Sequence, residues 1–127
     1  MKTAIASTAF EYLYRDAANY KAFGTIVLRG SHTDEDSQAI MNACESELYF
    51  VAEQVGVAPL YADLYQYSGG PTEDDHVFHE FIGLRAATPA DGEPTNAALA
   101  ELVSSFRATG GCWDYTRSAH WNLDLWR

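Results

Sequence analysis

The sequence is short of positive charge, and one long stretch of it has none. Its 127 residues include 8 lysines and arginines against 18 aspartates and glutamates, which gives a net charge of −10. A protein that binds nucleic acid through phosphate contacts needs basic side chains to displace counterions, so this composition argues against direct nucleic-acid binding. The same shortage argues against a polybasic membrane anchor.

Long apolar runs and paired cysteines are also missing. No run approaches the roughly 18 apolar residues that span a bilayer, which argues against an integral membrane protein. The apolar start over residues 1–7 is too short and too polar for a signal peptide, so we expect a cytoplasmic protein. Cys44 and Cys112 do not form a CxxC motif, and in the cytoplasm we expect free thiols, with Cys44 buried in the core.

Common catalytic and nucleotide-binding motifs are absent as well. The sequence contains no GxSxG, GxGxxG or P-loop pattern, and no repeat, linker or low-complexity segment interrupts it. Hydrophobic residues make up 47% of the chain, enough for an ordinary globular core. We therefore predict a single domain over residues 1–127, a non-enzymatic role and no cofactor.

The negative charge is concentrated in one block. Between Gly30 and Leu84 there is no lysine or arginine, whereas the rest of the chain holds seven acids and eight bases and is nearly neutral. Eleven acids lie in this stretch, which we call the acidic block: Asp34, Glu35, Asp36, Glu45, Glu47, Glu53, Asp63, Glu73, Asp74, Asp75 and Glu80. Such an asymmetry keeps a protein soluble and also suits a basic partner surface.

The first half of the chain predicts a hairpin followed by a helix. Residues 10–15 and 20–29 are rich in aromatic and β-branched side chains and flank a polar turn, as in an antiparallel hairpin. Thr33 is a suitable N-cap, and Asp36 occupies the capping-box position three residues later. The apolar spacing continues to about Val55, so we predict a helix from Thr33 to Val55 that ends at Gly56.

The second half predicts two more strands, a helix and a C-terminal arm. Residues 60–67 alternate in polarity, which places leucines on a buried face and tyrosines on an exposed face. Residues 76–85 are typical of a strand, and residues 95–109 have helical core spacing. The aromatic segment 112–127 is either a fifth strand or an irregular arm over the core. The order β-β-α-β-β-α indicates an α+β fold, an antiparallel sheet of four or five strands with two helices on one face.

Tyrosines close to acids predict a surface for binding a protein. Tyrosine offers a rigid, amphipathic contact area, and aromatic rings also stack on arginine. The expected partner is a basic protein surface. The candidate partner-binding residues are Asp34, Glu35, Glu45, Glu53, Asp63, Tyr61, Tyr65, Tyr67, Glu73, Asp74 and Asp75.

A second hypothesis is a metal site. His76, His79 and Glu80 have the imidazole and carboxylate groups that bind zinc, manganese or iron. Two histidines three residues apart in a strand face opposite sides of the sheet, so they share a metal only if the preceding loop extends past His76. A small metal-dependent enzyme or metal-binding protein is the alternative that this cluster supports.

Two segments resemble a group of small uncharacterised bacterial and mobile-element proteins. They are residues 12–21 followed by Gly24, and residues 73–81. The resemblance covers the first two-thirds of the chain and implies a bacterial, phage or plasmid source without any particular activity. Small acidic proteins of such elements often resemble inhibitors of nucleic-acid machinery or immunity partners of toxins.

The function that follows is a small acidic protein-binding module. Its sharpest form is an inhibitor that occupies the basic site of a nucleic-acid-binding protein, such as an anti-CRISPR or other anti-defence protein. A toxin-immunity protein uses the same electrostatic logic with a different partner. Tryptophans at positions 113, 121 and 126, where they are exposed, would equally suit a homodimer.

Overall fold

A computed structural model describes residues 6–65, residue 70 and residues 76–118 of the chain. In chain order the strands and α-helices are β1 (Ser7–Arg15), β2 (Lys21–Arg29), α1 (Asp34–Ala43), β3 (Tyr49–Phe50), β4 (His79–Ala86) and α2 (Leu99–Thr109). The four strands form one antiparallel sheet of order β2-β1-β4-β3, and the two helices pack against it, which confirms the α+β fold. Neither helix is long and apolar enough to cross a membrane.

The predicted hairpin is confirmed, with β1 and β2 paired along their whole length. The turn between them closes through the Asp16 carboxylate, which accepts a hydrogen bond from the Tyr20 N–H, and through Asn19 in the left-handed region. Gly24 is required by close packing rather than by a turn. A Cβ atom at this position would lie 2.9 Å from the Tyr12 ring, so only glycine lets that ring pack flat on β2.

The core lies on the face of the sheet that both helices cover. Phe10 and Phe81 come from the central strands, and Ile40 from α1 and Phe106 from α2 pack against them. The N-terminus of α1 is the predicted one: Thr33 accepts a hydrogen bond from the Asp36 N–H, and the Asp36 carboxylate accepts one from the Thr33 N–H. This reciprocal capping fixes where the helix starts.

The helix predicted to reach Val55 is wrong beyond Ala43. Ser46 and Glu47 adopt left-handed φ values of 53° and 61°, which turn the chain back toward the sheet. Phe50 then joins β3, paired with β4. Phe50, Val51 and Ala52 are buried in succession, and no single face of a helix can bury three consecutive residues. The chain therefore becomes a two-residue strand followed by a 3₁₀ turn over Ala52–Val55, which ends at Gly56.

The strand predicted over residues 60–67 is wrong for residues 60–65, and residues 66 and 67 lie outside the described residues. Tyr61–Leu64 is a 3₁₀ turn, in which Tyr61 and Leu64 lie inward and Ala62 and Asp63 outward. The spacing of three between the two buried residues is that of a helical turn, and an apparent two-residue alternation concealed it. The buried leucine face and the exposed tyrosine face expected of a strand consequently do not form over residues 60–65.

The starts of two later elements also differ from the sequence prediction. The fourth strand begins at His79 rather than at His76, and the second helix at Leu99 rather than at residue 95. Thr95 is not a helix cap, because its N–H and its hydroxyl both donate to the Val27 carbonyl at the edge of the sheet. Within residues 112–118 the C-terminal segment forms an irregular arm with one 3₁₀ turn, so the described part contains no fifth strand.

The two cysteines differ in exposure, which gives a first testable prediction. Cys44 is buried and Cys112 is exposed, and both are free thiols. Burial raises the pKa of the Cys44 thiol to about 12, so the reactive thiolate is scarce at neutral pH. We expect a thiol-specific reagent to label Cys112 alone in the native protein and both cysteines after unfolding. Rapid labelling of Cys44 in native buffer would contradict the buried position of this residue.

Candidate functional site

The exposed part of the acidic block is not neutralised by ion pairs. Three ion pairs occur within the described residues: Arg15 with Glu80, and Arg85 with both Glu11 and Asp91. Only Glu80 among these acids belongs to the block. The exposed carboxylates of the block that are left without an ion pair in the described structure are Asp34, Glu35, Glu45, Glu47 and Asp63.

Four of these acids lie at the two ends of α1, and the fifth, Asp63, lies in the 3₁₀ turn Tyr61–Leu64. Asp34 and Glu35 occupy the first turn, where the positive end of the helix dipole stabilises them. A helix of ten residues is about 15 Å long, so Glu45 and Glu47, which follow the last turn, lie well away from the first pair. The acids at the start of the helix are thus explained by helix stability, whereas those after its end have no such role.

The turn after α1 brings its acids next to an aromatic side chain. Glu45 and Tyr49 pair across the turn: the Glu45 N–H donates to the Tyr49 carbonyl at 2.8 Å, and the Tyr49 N–H donates to the Glu45 carbonyl at 2.9 Å. Glu47 lies between them at the tip. The backbone therefore fixes two free carboxylates beside the tyrosine that begins β3.

Tyr49 belongs to a row of three aromatic rings on the surface. Its ring centre lies 6.0 Å from that of Phe78, and the Phe78 centre lies 5.2 Å from that of Tyr115, both in edge-to-face contact. Tyr49 is 36% exposed and Tyr115 40% exposed, and Phe78 is half-buried between them. We call Glu45, Glu47, Tyr49, Phe78 and Tyr115 the aromatic–acidic surface.

The C-terminal segment is held firmly where it contributes Tyr115 to this surface. The buried Trp113 indole donates from Nε1 to the carbonyl of Ala43 at 2.9 Å, at the C-terminal end of α1. The Gln54 side chain binds the same segment twice, donating to the Cys112 carbonyl and accepting from the Asp114 N–H. Tyr115 is consequently placed by anchors on the three residues that precede it.

Tyr61 and Tyr65, which the sequence predicts to bind a partner, do not belong to the aromatic–acidic surface. Tyr61, predicted to be exposed, is buried, and its hydroxyl donates to the Glu53 carboxylate. Burial and this contact raise the pKa of Tyr61 well above its ordinary value. Tyr65 is half-buried and stacks on Tyr61, with 6.5 Å between the two ring centres. Tyr61 and Glu53 therefore hold the interior together rather than face a partner.

Of the remaining candidate partner residues, four are exposed and four lie outside the described residues. Asp34, Glu35, Glu45 and Asp63 are exposed as expected. Tyr67, Glu73, Asp74 and Asp75 lie outside the described residues. Sequence reasoning missed Phe78 and Tyr115 as surface residues, and Tyr49 was not among its candidates.

The histidines of the predicted metal site each have other partners. His79 is fully buried on the inner face of the sheet, and its Nε2 accepts the Leu60 N–H at 2.9 Å, so the neutral ring carries its proton on Nδ1. His76 Nδ1 accepts the Phe78 N–H, and its Nε2 lies 2.6 Å from the Arg15 carbonyl oxygen. Both rings thus serve the local packing and hydrogen bonding of β4.

The third member of the predicted metal site points away from the other two. Glu80 follows His79 in β4, so its side chain lies on the opposite face of the sheet, where it pairs with Arg15 at 3.0 Å. No group of three histidine, cysteine, aspartate or glutamate side chains in the described part of the chain is arranged to hold a metal ion. His76, His79 and Glu80 do not assemble into the predicted site.

Comparisons of the chain with protein-family models, with curated proteins and with solved structures found no match. The resemblance to small bacterial and mobile-element proteins therefore stays a prediction from the sequence.

Proposed function

We propose that this protein is a binding module that docks the aromatic–acidic surface on a basic surface of a partner protein. The observation that carries the proposal is the row of three packed, partly exposed aromatic rings beside two carboxylates that lack an ion pair. Rings of this kind supply contact area at low entropic cost, and carboxylates supply charge complementarity. Both properties occur together at this edge of the sheet.

The charge distribution supports a basic partner. The exposed acids of the block add a long-range negative field, and no lysine or arginine interrupts it between Gly30 and Leu84. Such a field raises the association rate with a cationic surface, and salt screens it within about 10 Å at 0.1 M ionic strength. We expect binding that is fast and that weakens as ionic strength rises.

The aromatic rings favour arginine over lysine in the partner. A guanidinium group stacks on an aromatic face and at the same time donates paired hydrogen bonds to a carboxylate, whereas an ammonium group does not stack in this way. Tyr49 lies beside Glu45, so both interactions are available to one arginine. In its finer form the proposal is an inhibitor of a nucleic-acid-binding protein, as for an anti-CRISPR or other anti-defence protein, because such partners present arginine-rich surfaces.

The proposal is tested with the substitution Glu45→Lys and a peptide of nine arginines as the probe. Exposed ion pairs contribute about 0.2–1 kcal/mol each, so replacing an attraction by a repulsion should weaken binding about tenfold at low salt. The matched control is Glu93→Lys, which makes the same charge change at another exposed glutamate. Affinity is measured by titration calorimetry at low and at high salt.

Two comparisons separate a defined surface from general acidity. Tyr115→Ala should weaken the nona-arginine complex without changing net charge, and a nona-lysine peptide should bind less tightly than nona-arginine. Equal losses in Glu45→Lys and Glu93→Lys, or equal affinity for the two peptides, would overturn the proposed surface. With a nucleic-acid-binding partner, added nucleic acid should compete for the same site.

A further inference from the structure

The edge strand β2 turns half of its backbone hydrogen-bonding groups away from β1. In the hairpin the Asp16 N–H donates to the Tyr20 carbonyl, and the Gly30 N–H donates to the Ala6 carbonyl. These two bonds fix the alternation of the ladder, because paired residues exchange hydrogen bonds at every second position. The odd-numbered residues of β2 therefore direct their N–H and C=O groups to the outer edge.

The second half of this edge is covered by the chain itself. The Thr95 N–H donates to the Val27 carbonyl, and the Arg29 N–H donates to the Ala97 carbonyl, so the segment before α2 lies along the end of β2. The first half of the edge, Lys21, Phe23 and Thr25, has no hydrogen bond to its backbone in the described part of the chain. Among the described residues, the chain thus covers one half of the strand edge and leaves the backbone donors and acceptors of three residues open.

The two most exposed large apolar side chains of the described structure lie on this half of the edge and in the turn before it. Phe23 is 66% exposed on the outer face of the sheet, and Tyr20, in the adjoining turn, is 64% exposed. Edge strands that remain unpaired usually carry a proline, a bulge or inward charges. Residues 21–25 contain no proline and pair with β1 without a register shift, and Lys21 is their only charge.

We propose that two copies of this chain associate through antiparallel pairing of their β2 edges, with the two-fold axis at Phe23. In this register Lys21 pairs with Thr25 of the second copy, and Phe23 pairs with its own counterpart. Six backbone hydrogen bonds join the copies, and the two exposed phenylalanine rings lie side by side on the outer face as a cross-strand aromatic pair. The sheet continues from one copy into the other.

Two observations favour a second copy as the occupant. The open carbonyl acceptors end at Thr25 because the Val27 carbonyl already accepts from Thr95, so pairing centred on Phe23 uses the groups of Lys21, Phe23 and Thr25 without displacing residues 95–97. The hairpin is also the part of the chain free of excess negative charge: Arg15, Lys21 and Arg29 outweigh Glu11 and Asp16. Two copies can therefore approach here through a pair of strands that carries no excess negative charge.

The charge of the whole chain predicts an unusual salt dependence. Each copy carries a net charge of −10, so self-association is opposed by long-range repulsion that salt screens. Rising ionic strength should strengthen the pairing of two copies, whereas it should weaken binding to a basic partner. The inference does not depend on the proposed function, and the opposite salt responses distinguish the two.

Sedimentation equilibrium on the intact protein tests the proposal. The three-residue edge is small, so the concentration series extends from about 10 μM to about 1 mM. We expect the average mass to rise with protein concentration from 14.1 kDa toward twice that value. At a given concentration, the average mass should lie closer to that of the dimer when the salt concentration is higher. Thr25→Pro removes an outward N–H that has no partner among the described residues, so it should abolish association, and Thr25→Val should retain it.

A second substitution keeps the proposal testable if the proline variant does not fold. Phe23→Lys places two positive charges opposite each other at the two-fold axis, and it should reduce association at least tenfold while the far-ultraviolet circular dichroism stays unchanged. A chain that remains monomeric at 1 mM in high salt would overturn the proposal. A dimer that survives both Thr25→Pro and Phe23→Lys would overturn it too, because the contact would then lie elsewhere.

Discussion

Phe10→Ala is expected to destabilise the fold by about 3–5 kcal/mol, the range measured for phenylalanine truncations in protein cores. Phe10 is fully buried on the central strand, and its ring centre lies 5.3–6.0 Å from those of Tyr12, Phe50, Phe81 and Phe106. Its ring thus contacts rings from β1, β3, β4 and α2. Removing it leaves a cavity that all four elements line.

The matched control for this prediction is Phe23→Ala on the same hairpin. Phe23 is 66% exposed, so its loss should change the free energy of unfolding by no more than about 0.5 kcal/mol. Both variants are measured by urea denaturation at a low, fixed protein concentration, at which the chains do not associate. If the two substitutions cost equal free energy, the assignment of Phe10 to the centre of the core is wrong.

The predictable parts of this fold are those with local signals. The β1–β2 hairpin follows from two alternating segments and a turn of suitable chemistry, and the start of α1 follows from the reciprocal pairing of Thr33 and Asp36. Each of these features is decided by residues within a few positions of one another. The sequence therefore specifies them before the rest of the chain packs.

The errors occur where distant contacts decide the local structure. The apolar spacing that suggests a helix to Val55 is real, yet Phe50 gains more by pairing with His79 and packing on Phe10 than by continuing a helix. The same applies to Tyr61, whose hydroxyl donates to Glu53 when residues 61–64 form a 3₁₀ turn. Neither partner is near in sequence, so periodicity alone cannot reveal these choices.

The chemical character of the candidate surface could be predicted from the sequence, but the residues that form it could not. Charge counting identified the acidic block, and composition indicated that tyrosines would accompany it. The tyrosines that do so, Tyr49 and Tyr115, come from segments 66 residues apart that meet only through Phe78. Burial of Tyr61 removes it from the set. A surface built from three separate segments needs the tertiary structure before its residues can be named.

Trp113→Ala is expected to cost about 3–5 kcal/mol and to weaken the aromatic–acidic surface as well. The indole is buried against Phe50 and Phe106, and its Nε1–H satisfies the Ala43 carbonyl at the end of α1. Without it the chain loses its main anchor two residues before Tyr115. Urea denaturation measures the loss of stability, and titration with the nona-arginine peptide measures the loss of binding.

The conservative variant Trp113→Phe separates the two functions of this side chain. It keeps most of the apolar contact but leaves the Ala43 carbonyl without its buried donor, a loss that costs about 1–3 kcal/mol. Because the ring still holds the segment in place, peptide affinity should stay close to that of the native protein. If Trp113→Ala bound the peptide as tightly as the native protein while losing stability, Tyr115 would not depend on this anchor, and the aromatic–acidic surface would have to exclude it.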